Sequence, residues 1–240
     1  MNAKLIAHTA LSDTSQAELL RAGAGAYDGL DRAAVALTAI RTCYSPSPPS
    51  DIIALEGAKY FCQSASDGEA GTEADRLFRH IVRSGHASTL EHIMYTFAVE
   101  GVSRSLLAQL TRHRQFSFSV QSQRYVKFGS GDKAAGFNYV TPQSIAANPD
   151  ADEMYGWLME ALQSAYDNLR AAGVPAEDAR YVLPNAAATN LVMTANLRAI
   201  LEFYGKRNER THAQWEIAAL AEAIRAEIEK VDAWVAPYFS

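Results

Sequence analysis

Between Ile93 and Val99 the sequence alternates strictly, with Ile93, Tyr95, Phe97 and Val99 falling on one face. The stretches on either side repeat at helical spacing instead, and this change of period most limits what the chain can fold into. A half-buried strand sits in the middle, and helices must cover it. Ser103 offers an N-cap to a helix running through about Thr111. Upstream, Leu77, Phe78, Ile81 and Val82 predict a helix over Asp75–Ser84, which Gly85 stops. Ser45–Asp51 contains three prolines and reads as a loop; Asp51 then caps a helix near Ile52 to Gln63. Ser122–Phe128 is expected to form a second strand after a polar turn.

Downstream, Asp152–Ala172 carries Met154, Trp157, Leu158, Ala161, Leu162, Ala165, Tyr166 and Leu169 on one predicted buried stripe, ending at Gly173 and Pro175. Further helices are expected over Asn190–Tyr204 and from His212 to about Val231, with Trp215 and Ile217 in the core. The expected class is therefore α+β (mixed α/β): a central antiparallel-containing sheet with surrounding helices and a helical C-terminal half. Residues 1–240 are read as a single domain, its strands mainly before about 140 and its helical portion at about 150–235.

Charge is distributed unevenly along the chain. The formal net charge is −5, which argues against a general nucleic-acid binder. Yet Gly101–Gly131 contains no Asp or Glu, while Arg104, Arg112, Arg114, Arg124 and Lys127 all fall within it. A second acid-free window, Ala179–Leu201, holds Arg180 and Arg198. An acidic chain that keeps carboxylates out of arginine-bearing windows points to a small anionic ligand. No apolar run approaches the roughly 20 residues that cross a bilayer, and the N-terminus lacks a secretory pattern. Cys43 and Cys62 are too few for a disulfide framework, so a reducing, cytoplasmic setting is expected, away from membranes.

Within the first window Arg112-His113-Arg114 places three ionisable groups side by side. They repel one another unless an anion compensates, and guanidinium forks match phosphate or carboxylate bidentately. The same triplet also suits a charged helix end, where the dipole favours cations. Ser117, Ser119, Ser122 and Arg124 follow, and hydroxyls in a turn beside arginines can cradle phosphate. Ser122 as a nucleophile would need a base and an orienting carboxylate that the neighbouring sequence does not display. His80, His86 and His92 recur every six residues, on different faces of any helix, without a close ligand pair; no metal site is expected. Gly23-Ala24-Gly25 lacks the third glycine and the strand-turn-helix context of a dinucleotide fingerprint.

Arg112-His113-Arg114, seven residues, Ser122 and then Arg124-Tyr125 resemble the signature of the flavin-dependent thymidylate synthases. Gly85-His86-Ala87-Ser88 with Glu91-His92 looks like that family's upstream motif, and Ser103-Arg104-Ser105 with Gln109 fits its approach to the triplet. Arg180 with Val182-Leu183-Pro184, then Asn196, Arg198, Arg207 and His212, fits its C-terminal half, so the resemblance covers roughly residues 30 to 230.

The resemblance implies a homotetramer with a non-Rossmann flavin-binding fold and sites shared between subunits. It implies methylation of dUMP to dTMP, with 5,10-methylenetetrahydrofolate as carbon donor and NADPH-reduced FAD as hydride source. By the same resemblance Ser88, Arg112, His113, Arg114, Val120, Asn196, Leu197, Arg198 and Glu202 would hold the flavin. Gln109, Arg112, Val120, Gln121, Ser122, Gln123, Arg124, Arg180 and Arg207 would hold dUMP, and Arg207 would polarise the uracil at N3. Val120 stands where many members carry Glu or Gln, and Glu202 where an amide or His is more usual. The spacer between Arg207 and His212 is one residue longer than the family's usual one. Two rivals are another flavoprotein or nucleotide-modifying enzyme on the same scaffold, and a non-catalytic nucleotide- or nucleic-acid-binding module using the same arginines.

Overall fold

A computed structural model describes residues 1–25 and 29–239. In chain order the elements are β1 (Asn2–His8), α1 (Asp13–Arg21), α2 (Leu30–Thr42), α3 (Ile52–Cys62), α4 (Glu73–Arg83), β2 (Met94–Ser103) and α5 (Arg104–Leu110). They continue with β3 (Ser117–Val120), α6 (Gln143–Ala146), α7 (Pro149–Ala171), α8 (Ala176–Ala179), β4 (Ala188–Asn196), α9 (Leu197–Arg207) and α10 (Trp215–Val231). The strands hydrogen-bond in the order β1-β2-β4-β3, and the architecture is the expected mixed α/β with a small antiparallel sheet.

The chain forms two compact units, one of Met1–Ala3 with Ala98–Met193, the other of Lys4–Phe97 with Thr194 to the C-terminus. In the first, Ser103 caps α5 as expected, its hydroxyl accepting from the Leu106 amide at 2.9 Å. Leu106, Leu107 and Leu110 bury that helix's inner face. A smaller core gathers Phe128, Tyr166 and Ala179, with the Tyr166 hydroxyl accepting from the Phe128 amide at 3.2 Å. Gln163 donates from its amide to the Phe128 carbonyl and accepts from the Phe137 amide, tying the loop after residue 128 to α7.

In the second unit Tyr95 and Phe97 are wholly buried, as the alternation requires. Thr72 and Asp75 form a capping box at the start of α4, two residues earlier than expected, and Gly85 ends its last turn at φ 75°. A buried ion pair lies in this core. Arg32 donates from Nε to Asp232 at 2.6 Å, and Tyr95 and Trp234 donate to the same carboxylate. Burial pushes the Asp232 carboxyl up, against the pull of those donors. Truncating one partner would leave the other charge buried and unpaired, at about 3–5 kcal/mol. Gly29 precedes α2 at φ 90°, where a Cβ would lie 2.6 Å from Asp232 Oδ1, so only glycine fits.

Several expectations need correction. Residues 190–196 are strand rather than helix: Thr189, Leu191, Met193 and Ala195 alternate into the interior, and helix begins only at Leu197. Ser122–Phe128 is a turn, its Val126 amide bonded to the Ser122 carbonyl at 2.9 Å, and the strand lies before it at Ser117–Val120. Met154, Trp157 and Leu158 are exposed; Met159 and Tyr166 carry the buried face of α7. Trp215 is 40% exposed, whereas Ile217 is in the core as expected. Asp51 precedes α3 but makes no side-chain cap.

Candidate active site

In the first unit the chain leaves α5 through a tight turn that carries the basic triplet. The Arg112 and His113 amides donate back to the Gln109 and Leu110 carbonyls, and the Phe116 amide donates to the His113 carbonyl. Arg112 and Arg114 point outward, while His113 is half-buried with its ring 5.7 Å from that of Phe116. β3 follows, with Val120 half-buried at its end. The Gln121 amide donates to the Asn190 carbonyl at 2.8 Å, and Asn190 donates to the Gln121 side chain. Ser122 then turns the chain, its hydroxyl oxygen accepting from the Arg124 amide at 3.2 Å.

Arg124 and Arg180 converge on one residue. Arg124 Nε donates to the Glu177 carboxylate at 2.9 Å, and Arg180 Nε donates to the Glu177 carbonyl at 2.9 Å. Each guanidinium also lies by an exposed tyrosine, Arg124 at 5.3 Å from the Tyr125 ring centre and Arg180 at 6.0 Å from that of Tyr181. Arg104, on the first turn of α5, belongs to the same cluster: burial, and then the charge of Arg180, lower its pKa. Three guanidinium groups and one carboxylate therefore share this surface. Arg104 and Glu177 lay outside the sequence-derived site. Arg104 had a signal, its place in the acid-free window, whereas Glu177 had none.

The second unit holds Ser88, Asn196, Leu197, Arg198, Glu202 and Arg207. Ser88 lines a cavity of about 710 Å³ between α2, α3 and the segment Ala87–His92, together with Thr38, Cys43, Thr89, Glu91 and His92. Asn196 caps α9, its side-chain oxygen accepting from the Ala199 amide at 2.8 Å, which leaves its amide NH2 to donate elsewhere. Leu197 is fully buried and its amide donates to the Ile93 carbonyl, so its part is to place its neighbours. Arg198 donates from Nη1 to Glu91 at 2.6 Å and from Nε to Glu202 at 3.0 Å. Those two carboxylates hold the Arg198 pKa above its ordinary value. Arg207 is the last residue of α9 and half-buried. His86 lies beside Tyr44, whose hydroxyl is 3.0 Å from Nδ1.

Among the described residues no group of three or more His, Cys, Asp or Glu side chains is placed to hold a metal ion, and no helix is long and apolar enough to cross a membrane.

The family model described as "Thymidylate synthase complementing protein" matches residues 27–234. A flavin-dependent thymidylate synthase of Geobacter sulfurreducens is 50% identical over 142 residues, which are 59% of this chain and 59% of that relative's length. Another, from Clostridium tetani, is 35% identical over 213 residues, covering 82% of this chain and 78% of its own. Among solved structures, a flavin-dependent thymidylate synthase of Helicobacter pylori complexed with FAD and dUMP has the same fold. It superposes with a TM-score of 0.66 at 22% identity, over 100% of this chain and 98% of that one.

Proposed function

The chain belongs to the flavin-dependent thymidylate synthase family, and from that premise we propose that it methylates dUMP to dTMP. The carbon comes from 5,10-methylenetetrahydrofolate and the reducing power from NADPH by way of FAD. One observation of the geometry supports this most: Arg124 and Arg180 meet at Glu177 with Arg104 beside them. Such a cluster suits the phosphate of a nucleotide, to which each charge-assisted hydrogen bond contributes roughly 1.5–3 kcal/mol.

The donor set also suits a flavin dinucleotide. Arg112, His113 and Arg114 provide cationic or polar donors on an exposed turn, and Ser88 opens onto a cavity large enough for part of the cofactor. Asn196 keeps an amide donor and Val120 offers apolar shape only, while Leu197, buried with its amide given to the Ile93 carbonyl, holds Asn196 and Arg198 in place. When bound, FAD supplies the hydride that reduces the transferred carbon to a methyl group.

The remaining work falls to this chain's side chains. Gln109, Gln121 and Gln123 present amides that can read the uracil edge or sugar, and Arg112 serves both ligands. Ser122 acts as a contact: its oxygen already accepts from the Arg124 amide, and its proton remains to donate to the nucleotide. By the family resemblance Arg207 would stand by uracil N3, where a cation favours the ionised ring and so activates it without a protein nucleophile. Association into a homotetramer with sites shared between subunits is supported by the exposed apolar face of α7, Met154, Trp157 and Leu158. We place the protein in the cytoplasm as a single functional domain, in keeping with its two free, exposed cysteines.

Purified protein tests the reading directly. It should be yellow or take up FAD, bleach on adding NADPH, and release tritium from uracil C5 only when dUMP and the folate are present. A colourless protein that cannot be reconstituted with FAD overturns the proposal. Flavin reduction without dUMP-dependent tritium release would make it a different flavoprotein.

A further inference from the structure

Arg198 stands on the first turn of α9, where the helix dipole disfavours a cation. Its charge is instead answered by two carboxylates, Glu91 from the segment preceding β2 and Glu202 one turn along the same helix. A guanidinium presents two forks to a planar or tetrahedral anion, one through Nε and Nη2 and one through Nη1 and Nη2. Glu202 holds the Nε of the first fork and Glu91 the Nη1 of the second. Neither fork is therefore complete for a bidentate phosphate, and the triad carries one positive and two negative charges.

The two carboxylates are not equivalent. Glu91 lines the cavity that contains Ser88, and its contact with Arg198 is the shorter. Glu202 sits four residues after Arg198, the less favourable order for a helical ion pair, and all three side chains are between 38% and 45% exposed. The contact that gives way at least cost is Arg198–Glu202.

We propose that Glu202 is a positioning residue that competes with the flavin's diphosphate for the Nε fork of Arg198, weakening FAD binding by an ion pair that must open before the cofactor docks. The inference rests on the assignment of Arg198 to the flavin made above, and it reverses the part in holding the flavin that the same resemblance gave Glu202. By the resemblance Glu202 stands where an amide or His is more usual, so the competition is a property of this chain.

The test is FAD titration of the full chain stripped of flavin, followed by flavin fluorescence, with Glu202→Gln against the wild type. Glu202→Gln should bind FAD about threefold more tightly at low salt, the size of an exposed ion pair. The gain should shrink toward nothing near 1 M salt, where the screening length is about 3 Å. In an Arg198→Ala background Glu202→Gln should leave FAD affinity unchanged, a result that mere helix stabilisation would not give. Equal or weaker FAD binding by Glu202→Gln, or a gain that persists without Arg198, overturns the inference alone. Wild type that binds no FAD at all overturns it together with the functional reading beneath it.

Discussion

In the unit built on Ala98–Met193, three guanidinium groups, Arg104, Arg124 and Arg180, stand with one carboxylate, Glu177. In the unit that contains α9, one guanidinium, Arg198, stands between two carboxylates, Glu91 and Glu202. Both sets are exposed or half-buried, and both use arginine, yet their formal charges are of opposite sign. The first has excess positive charge that a nucleotide phosphate can satisfy. The second has answered its own cation before any ligand arrives. Counting arginines thus misjudges anion sites; the carboxylates that share their hydrogen bonds decide what each arginine has left to give.

The widest break between the two regions would come from Arg207, which is assigned to the uracil rather than to a phosphate. Arg207→Ala should lower dUMP turnover about 10²–10³-fold, as losing one preorganised donor to developing charge does. Flavin content, read from absorbance per chain, should stay near that of the wild type. Equal loss of FAD would show that Arg207 belongs with Arg198 and not with the nucleotide set. Next in size, Arg124→Ala and Arg180→Ala should each weaken dUMP binding about 10- to 100-fold by calorimetry, the loss of one charged hydrogen bond. FAD affinity should hardly move in either variant. A nucleotide affinity unchanged by both would remove the phosphate from this cluster.

The sequence made part of this visible and hid the rest for physical reasons. Strand β2 and helix α5 were legible because Ile93–Val99 alternate and Ser103 is a cap, both local signals. Strand β4 was not: Thr189, Val192 and Thr194 favour a strand, but Leu191, Met193, Ala195 and the run into Leu197–Tyr204 suit a helix as well, and pairing with β2 and β3 decides the matter. Ser122–Val126 misled in the opposite sense, since its turn is fixed by the Ser122 hydroxyl and carbonyl. Met154, Trp157 and Leu158 were read as core because they share one wide apolar stripe with Tyr166, and periodicity does not say which edge of it the chain itself covers. Among the site residues, the arginines announced themselves through acid-free windows. Glu177 lies distant in sequence from Arg124, and Glu91 from Arg198, so these pairings appear only in three dimensions.

The smallest effect, and the one that refines the comparison most, concerns Arg104. Burial and the nearby Arg180 both disfavour its charged form, so the ligand-free cluster holds this cation at some cost. Arg198, whose pKa its two carboxylates raise, is in the reverse situation. Replacing Arg104 by Gln keeps hydrogen-bonding capacity and removes the charge. The ligand-free protein should then melt slightly higher, by no more than about 1 °C, because solvent screens the repulsion at this partly exposed site. The rise in melting temperature on adding saturating dUMP should become smaller, because a cation that repelled its neighbour no longer helps hold the phosphate. Opposite signs in the two measurements are what excess positive charge requires. Arg198→Gln should instead lower the ligand-free melting temperature, leaving Glu91 and Glu202 facing each other without a cation. If Arg104→Gln also destabilised the ligand-free protein, the cluster would be already neutralised like its counterpart, and the contrast between the two regions would fall.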